Sequence, residues 1–212
     1  MKRVADSTVR RLSLYLRYLE EFEAGGSSTI SSDELAARAG TTSAQVRKDL
    51  SVFGSFGKRG LGYDVVELTR RLRDILGLGR EWRVIIVGAG KVGGALAQYR
   101  GFRQRGFSIA AVYDSDPAKI GNAFESFTVR DIASLKDDIR RQPADIAILT
   151  VPGDVAQRVL DQVVAAGIRA VLNFAPAQLH APDQVTVKTV NMAMELEGLS
   201  FALTNPVAAR SA

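Results

Sequence analysis

The sequence predicts an α/β protein: an N-terminal winged helix-turn-helix domain, then a Rossmann-like doubly wound parallel sheet and a C-terminal helix. Three observations predict it. Two short, capped helical segments meet at a tight turn within residues 31–54. A glycine-rich turn, Val87-Gly88-Ala89-Gly90-Lys91-Val92-Gly93, lies between an apolar run and an amphipathic one. From Arg83 onward, short apolar runs alternate with amphipathic stretches, as in a parallel sheet covered on both faces. The expected domains are residues 1–80 for the winged helix and a linker helix, 81–190 for the sheet, and 191–212 for the terminal helix and tail.

The elements follow in order. Residues 5–24 read as an amphipathic helix, with Leu12, Leu16 and Leu19 on one stripe, flanked by Tyr15 and Phe22; Arg10 and Arg17 lie opposite. Ser31 with Glu34, and Thr42 with Gln45, have capping-box spacing, and Gly40 and Gly54 stand where C′ glycines belong. Helices over 32–39 and 43–53 result, at helix-turn-helix spacing. The basic loop Phe56-Gly57-Lys58-Arg59-Gly60-Leu61-Gly62-Tyr63 can form a β-wing. Asp64 caps a helix to about Leu76, and Gly77-Leu78-Gly79 breaks it. Strands are expected at 84–87, 109–113, 146–150, 170–172 and 185–189, with helices near 92–100, 131–141 and 154–166. The stretch 191–205 carries Met192, Met194, Leu196, Leu199, Phe201 and Leu203 around much of a helix, which requires burial on more than one side. Two burial modes fit: packing on its own sheet, or insertion into a second subunit.

Composition bounds the function. The chain has 212 residues, 46% of them hydrophobic, and no cysteine. Disulfide stapling, thiol catalysis and cysteine-ligated zinc are excluded, and a cytoplasmic location is expected. The opening Met1-Lys2-Arg3-Val4-Ala5-Asp6 has no apolar stretch, so no secretory signal is expected. No apolar run reaches the roughly 18–20 residues that span a bilayer. Net charge is +5, and residues 1–60 hold ten Lys/Arg against seven Asp/Glu. Any contact with nucleic acid must therefore come from a local patch.

Gly88, Gly90 and Gly93 fit the dinucleotide-binding spacing. The first allows the tight turn, the second lets a pyrophosphate approach the backbone, and the third lets the helix pack on the strand. Asp114 ends the next strand and can accept hydrogen bonds from the adenosine ribose. A 2′-phosphate there meets a like charge, costing on the order of 4 kcal/mol at about 4 Å and an effective dielectric near 20, before screening. NAD(H) is therefore expected over NADP(H). The alternative is a glycine turn kept for packing beside a solvated acid.

On the second short helix, Val46, Leu50 and Phe53 face a core. Ala44, Arg47, Lys48 and Ser51 form a small and basic face suited to a major groove, where Arg reaches guanine O6 and N7. Thr42 and Ser43 at the helix start can hold a phosphate. Lys58 and Arg59 can follow the duplex backbone or enter the minor groove. The alternative is a solvated face with routine charges.

Nothing resembles a catalytic constellation. The single histidine, His180, sits in a loop, and there is no metal-ligand cluster. A dehydrogenase with an appended interaction domain remains the competing class, because Lys or Tyr can serve as an acid or base. A DNA-binding protein with a vestigial dinucleotide fold is the third.

Several blocks carry a resemblance. Gln45-Val46-Arg47-Lys48-Asp49-Leu50-Ser51, Phe56-Gly57-Lys58-Arg59-Gly60-Leu61-Gly62-Tyr63-Asp64 and Ile75-Leu76-Gly77-Leu78 resemble the redox-sensing transcriptional repressor (Rex) family. So do Val87-Gly88-Ala89-Gly90, Tyr99-Arg100-Gly101-Phe102, Leu149-Thr150-Val151-Pro152 and Leu172-Asn173-Phe174-Ala175-Pro176. The resemblance implies a homodimer with a swapped terminal helix. It implies a palindromic operator in double-stranded DNA, held by the free or NAD+-bound protein and released when NADH binds. It places Ser43, Gln45, Arg47, Lys48 and Ser51, with Lys58 and Arg59 of the wing, at DNA. It places Gly88, Gly90, Lys91, Val92, Gly93, Gly94 and Ala95 at the pyrophosphate, Asp114 at the ribose, and Tyr99 and Phe174 near the nicotinamide. Thr150, Val151, Pro152 and Asn173 join that cofactor set. Arg17 matches a residue linking the two domains.

One position departs. Where the family often has an aspartate that exchanges partners between the Tyr99 and Arg17 positions, this chain has Asn191. An amide can hydrogen-bond to both but cannot ion-pair with Arg17. Residues Gly121–Thr128 also depart from the family's usual loop.

Overall fold

The computed structural model describes residues 4–58 and 61–205. It divides into two compact units, residues 1–80 and 81–212.

In the first unit, helix α1 (Asp6–Ala24) is followed by strand β1 (Thr29–Ile30), helices α2 (Ser32–Ala39) and α3 (Ser43–Ser51), strands β2 (Gly57–Lys58) and β3 (Gly62–Asp64), and helix α4 (Val65–Ile75). The α1 stripe is buried at Leu12, Tyr15, Leu16 and Leu19, against Leu35, Val46, Leu50, Leu68 and Leu72 of the other helices. The capping box that opens α2 is complete. Ser31 Oγ accepts from the Glu34 amide at 3.1 Å, and the Glu34 carboxylate accepts from the Ser31 amide at 2.8 Å. The box expected at α3 is only half made. Thr42 Oγ1 accepts from the Gln45 amide at 3.2 Å, but the Gln45 side chain turns away and donates to Asp49 Oδ1 at 2.8 Å. Helix α3 also ends at Ser51, not Phe53, because the Phe53 amide closes a turn on the Leu50 carbonyl ahead of Gly54.

Strands β1, β3 and β2 form a small antiparallel sheet, the wing. Gly62 makes it possible: at φ +77° its Hα occupies space where a Cβ would lie 2.4 Å from the Ile30 carbonyl oxygen. Asp64 Oδ1 accepts from the Glu67 amide at 2.8 Å and so starts α4 directly from the sheet.

The second unit contains β4 (Trp82–Val87), α5 (Lys91–Ala97), α6 (Arg100–Gln104), β5 (Phe107–Asp114), β6 (Ala123–Phe124) and β7 (Phe127–Asp131). A 3-10 turn (Ile132–Ser134) leads into α7 (Leu135–Arg141), then β8 (Ile146–Leu149), α8 (Gly153–Ala165), β9 (Ala170–Asn173), β10 (Thr186–Thr189) and α9 (Met192–Thr204). The sheet order is β10-β9-β8-β4-β5-β7-β6, parallel except for the edge strand β6. Chain order therefore reverses between β4 and β8, and ligands of such sheets bind beyond the strand ends at that reversal.

Three features differ from expectation. The helix expected over 92–100 breaks after Ala97, because Tyr99 adopts an extended ψ of 103° and starts the separate α6. The helix expected from 131 begins later, since Asp131 is the last residue of β7. Residues 123–131 form a hairpin with the two-residue loop Glu125-Ser126, and Glu125 sits at φ 55°.

Alternate residues of the strands feed two cores. Ile85, Val87, Tyr113, Ala147 and Leu149 pack under α7 and α8, and Val84, Ile86, Val112 and Ile148 pack under α5 and α6. The second face is covered unevenly. Over β8–β10 an apolar groove of about 290 Å³ remains, lined by Ile146, Ile148, Leu172, Phe102 and Phe107. Helix α9 buries none of its residues, and Leu196 and Leu203 are 66% and 85% exposed.

Candidate functional site

The end of β4 is pinched between its neighbours. The Gly88 amide donates to the Tyr113 carbonyl at 2.8 Å, and Thr150 Oγ1 donates to the Gly88 carbonyl at 2.8 Å. Gly88 stands at φ +114°, and a Cβ there would lie 2.5 Å from the Thr150 carbonyl oxygen. A Cβ on Gly93 would lie 2.1 Å from the Gly88 carbonyl oxygen, so this residue seats α5 against the turn. Gly90 is different. It is exposed, and a Cβ on it would meet nothing within 4 Å. The chain is bare where an incoming group would need to touch the backbone, beside the first-turn amides of α5 that have no helical acceptor.

This turn opens on a cavity of about 830 Å³, within the roughly 300–1,000 Å³ range of cofactor pockets. Of the residues expected at the site, Gly88, Gly90, Val92, Asp114, Thr150, Val151, Pro152 and Phe174 line it together. Gly93 and Gly94 are buried behind it, and Lys91 and Ala95 are exposed on α5. Asn173 does not line it. It is fully buried, accepting from the Ala175 amide at 2.9 Å and donating to the Ala175 and Ala177 carbonyls at 3.2 Å, and so shapes the loop that carries Phe174. Tyr99 is 60% exposed, its ring edge-on to Phe102 at 5.0 Å. It lines a separate cavity with Arg100 and Arg103. Lys119, Arg158 and Gln162 line the glycine-turn cavity and went unnoticed in the sequence, because Lys119 lies in a turn and the other two on an otherwise ordinary helix face.

Asp114 is a nearly buried carboxylate. Its Oδ2 accepts from the Ala89 amide at 2.8 Å and from Lys119 Nζ at 3.0 Å, and its Oδ1 accepts from the Asp116 amide at 2.9 Å. Burial favours the neutral acid, but the Asp116 amide, the Lys119 ammonium and the Ala89 amide together outweigh it and hold the carboxyl below its usual range. The result is an ionised, oriented acceptor, which suits a ribose hydroxyl.

On the first unit, Arg47 and Lys48 project from α3 into solvent. Arg47 Nη1 donates to Ser32 Oγ at 2.7 Å, which ties the guanidinium to the start of α2. Ser51 Oγ donates to the Lys48 carbonyl at 2.8 Å, and Ser43 opens the helix. Gln45 is partly buried, with its amide committed to Asp49. Lys58 lies in β2, and Arg59 lies outside the described residues. Between α3 and the wing is a cleft of about 740 Å³ lined by Ser31, Ser32, Arg47, Ser51, Phe56 and Tyr63.

Behind the basic face is a feature the sequence reading passed over. Asp49, 2% exposed, accepts from Arg11 Nε at 2.6 Å and Nη2 at 2.8 Å, from the Tyr15 hydroxyl at 3.0 Å and from Gln45. Burial raises the carboxyl's pKa, but Arg11, Gln45 and Tyr15 more than reverse this and leave it lowered. No local pattern discloses the cluster, because Arg11 and Asp49 are joined only by the packing of α1 on α3.

Arg17 is exposed on α1. Asn191 caps α9, its Oδ1 accepting from the Ala193 amide at 3.0 Å and the Met194 amide at 3.3 Å. The main chain of His180 is clamped by Gln157, whose side chain bonds both its amide and its carbonyl. Among the described residues no group of three or more His, Asp or Glu could hold a metal, and no helix is long and apolar enough to cross a membrane.

Two family models match: "Putative DNA-binding protein N-terminus" over residues 3–51 and "CoA binding domain" over residues 79–177. The redox-sensing transcriptional repressor Rex of Carboxydothermus hydrogenoformans is 46% identical over 199 residues, covering 94% of this chain and 96% of that protein. The Rex protein of Roseiflexus sp. is 44% identical, covering 98% and 94%. Among solved structures, the protein RSP in complex with β-NAD+ and operator DNA superposes with a TM-score of 0.91 at 38% identity, covering 99% of this chain and 97% of that one. RSP in complex with β-NADH superposes with a TM-score of 0.87 at 37% identity, covering 99% of both.

Proposed function

The chain belongs to the Rex family of redox-sensing transcriptional repressors, and from that premise we propose that it binds operator DNA as a homodimer and lets go when NADH binds. It thereby reports the NADH/NAD+ ratio to transcription in the cytoplasm, as a regulator and not an enzyme. The observation that carries this reading is the pairing, in one chain, of a basic helix-turn-helix face with a cavity built on Gly88, Gly90 and Asp114.

Within residues 81–190, the bare backbone at Gly90 and the amides of Lys91 and Val92 bind the pyrophosphate, and Asp114 orients the ribose. Thr150, Val151, Pro152 and Phe174 form the wall toward the nicotinamide, and Tyr99 joins them by the family resemblance, from a separate cavity. Gly93, Gly94, Ala95 and Asn173 hold the backbone of the site in place. Bound NADH differs from NAD+ in lacking the positive charge on the nicotinamide ring, and this difference is what the site reads. Residues 1–80 read DNA: Arg47 and Lys48 address base edges, Ser43, Ser51 and Gln45 support them, and Lys58 and Arg59 follow the backbone from the wing.

Two readers of a dimer must lie about 34–36 Å apart to occupy successive major grooves. Arg17, Tyr99 and Asn191 bias the dimer between a gripping and a released arrangement. Moving such an equilibrium from 1:99 to 99:1 requires about 5.5 kcal/mol of differential affinity. The helix spanning residues 192–204, apolar around much of its surface and uncovered by its own chain, inserts into the second subunit, where the groove beside Phe102 and Phe107 is a fitting apolar surface. Residues 206–212 of the tail lie outside the described residues.

Selection of duplexes from a random pool tests the reading. Without nucleotide or with NAD+, the protein should enrich one palindrome; with NADH, enrichment should vanish. Enrichment unaffected by NADH would reject redox sensing, and no enrichment under any condition would reject operator recognition.

A further inference from the structure

The sequence alone presents Asp114 as a bare negative charge that excludes 2′-phosphorylated dinucleotides. The structure presents something else. Asp114 carries Lys119 on its Oδ2 at 3.0 Å, and Lys119 Nζ lies 3.9 Å from Asp116. The three side chains together carry one net negative charge, where two acids alone would carry two. A carboxylate offers about four acceptor positions. Three are occupied here, by the Ala89 amide, the Lys119 ammonium and the Asp116 amide. One remains, on Oδ1.

We propose that Lys119 is a second determinant of nucleotide specificity, and that the ribose corner of the cavity is read by an Asp114–Lys119 pair and not by Asp114 alone. One ribose hydroxyl donates to the open position on Asp114 Oδ1. The other accepts from Lys119 Nζ, whose three protons exceed what Asp114 uses. Lys119 is therefore also the group that a 2′-phosphate would meet, and it tempers the exclusion that Asp114 imposes. Both residues line the same cavity as Gly90 and Phe174, so the pair faces the ligand and not only itself. The inference rests on the dinucleotide reading of this cavity.

The test measures dissociation constants of NADH and NADPH for the full chain from reduced-nicotinamide fluorescence, with energy transfer from the single tryptophan, Trp82, as a second signal. Lys119→Met should raise the NADPH/NADH ratio of dissociation constants about tenfold, the factor that corresponds to about 1.4 kcal/mol. Lys119→Arg, which keeps the cation, should restore the native ratio. Asp114→Asn should lower the ratio by a similar factor by freeing the ammonium for the phosphate, and Asp114→Asn/Lys119→Met should lose that gain. An unchanged ratio in Lys119→Met, or an equal gain of NADPH binding in the single and double variants, overturns the proposal while leaving the cavity a dinucleotide site. Failure of the unaltered protein to bind NADH overturns the site reading itself, and the proposal with it.

Discussion

Arg11 holds Asp49 through two parallel bonds, Nε to Oδ2 at 2.6 Å and Nη2 to Oδ1 at 2.8 Å, and so ties the first helix to the helix that carries Arg47 and Lys48. The carboxylate is 2% exposed and the arginine side chain 27%, so solvent reaches the pair only from the arginine side. Removing Arg11 takes the counter-ion from a buried charge that keeps its bonds to Tyr15 and Gln45, so the cost falls at the lower end of the about 3–5 kcal/mol typical of such pairs. Arg11→Met should therefore destabilise the first unit by about that amount in urea unfolding, while NADH binding by the second unit persists. A cost below about 1 kcal/mol would show that the pair is not structural.

The same cluster sets a pH dependence. The folded pKa of Asp49 is lowered, so its contribution to stability is present above the unfolded value of about 4 and is lost as pH falls through the folded value. The protection factors of the α1 and α3 amides, corrected for the intrinsic pH dependence of exchange, should fall on acidification below about pH 4. Asp49→Asn should flatten that limb, leaving a smaller slope from Glu34, whose carboxylate is also lowered by its bonds to the Ser31 amide and hydroxyl. An unaltered slope in Asp49→Asn would contradict the assignment.

The two glycines of the turn should fail differently. In Gly93→Ala the new methyl meets the Gly88 carbonyl at 2.1 Å, so backbone must shift and both stability and NADH binding should fall. In Gly90→Ala the methyl meets open space, so stability should change by less than about 0.5 kcal/mol while NADH binding falls at least about tenfold. Thermal unfolding beside NADH titration separates the two. Normal NADH affinity in Gly90→Ala would displace the pyrophosphate from that turn.

Asn191 offers its side-chain oxygen to two amides of α9, a role a carboxylate fills equally well. Asn191→Asp should therefore keep the cap and add a negative charge at this position. The ratio of NADH to NAD+ affinity, measured by calorimetry, should change; an unchanged ratio would remove this position from the redox switch.

What was legible in the sequence was local. Ser31 and Glu34, three residues apart, announced a cap that the structure completes. Gly88, Gly90 and Gly93 announced a turn, and the structure has the close backbone approaches at Gly88 and Gly93 that their spacing implies, with open space at Gly90. The alternation of apolar runs gave the parallel sheet, but the β6–β7 hairpin escaped, because its two-residue loop is Glu125-Ser126 and not the glycine or asparagine that marks such turns. The break at Tyr99 escaped because it is a backbone choice inside an otherwise helical composition. The spacing of Gln45 fits a capping partner for Thr42, but its side chain bonds Asp49, itself fixed by Arg11 from 38 residues away. Lys119 on Asp114 was missed for a related reason: the turn that returns the lysine to the strand end leaves no periodic trace.

The central claim is that the oxidation state of the coenzyme decides the grip on DNA, and competition at constant total coenzyme tests it most directly. The anisotropy of a labelled operator would be followed with the full-length protein while NADH replaces NAD+ step by step. The account predicts that the operator is held at high NAD+ and released as the NADH fraction rises. An anisotropy indifferent to that fraction, with both coenzymes shown to be bound, would contradict it.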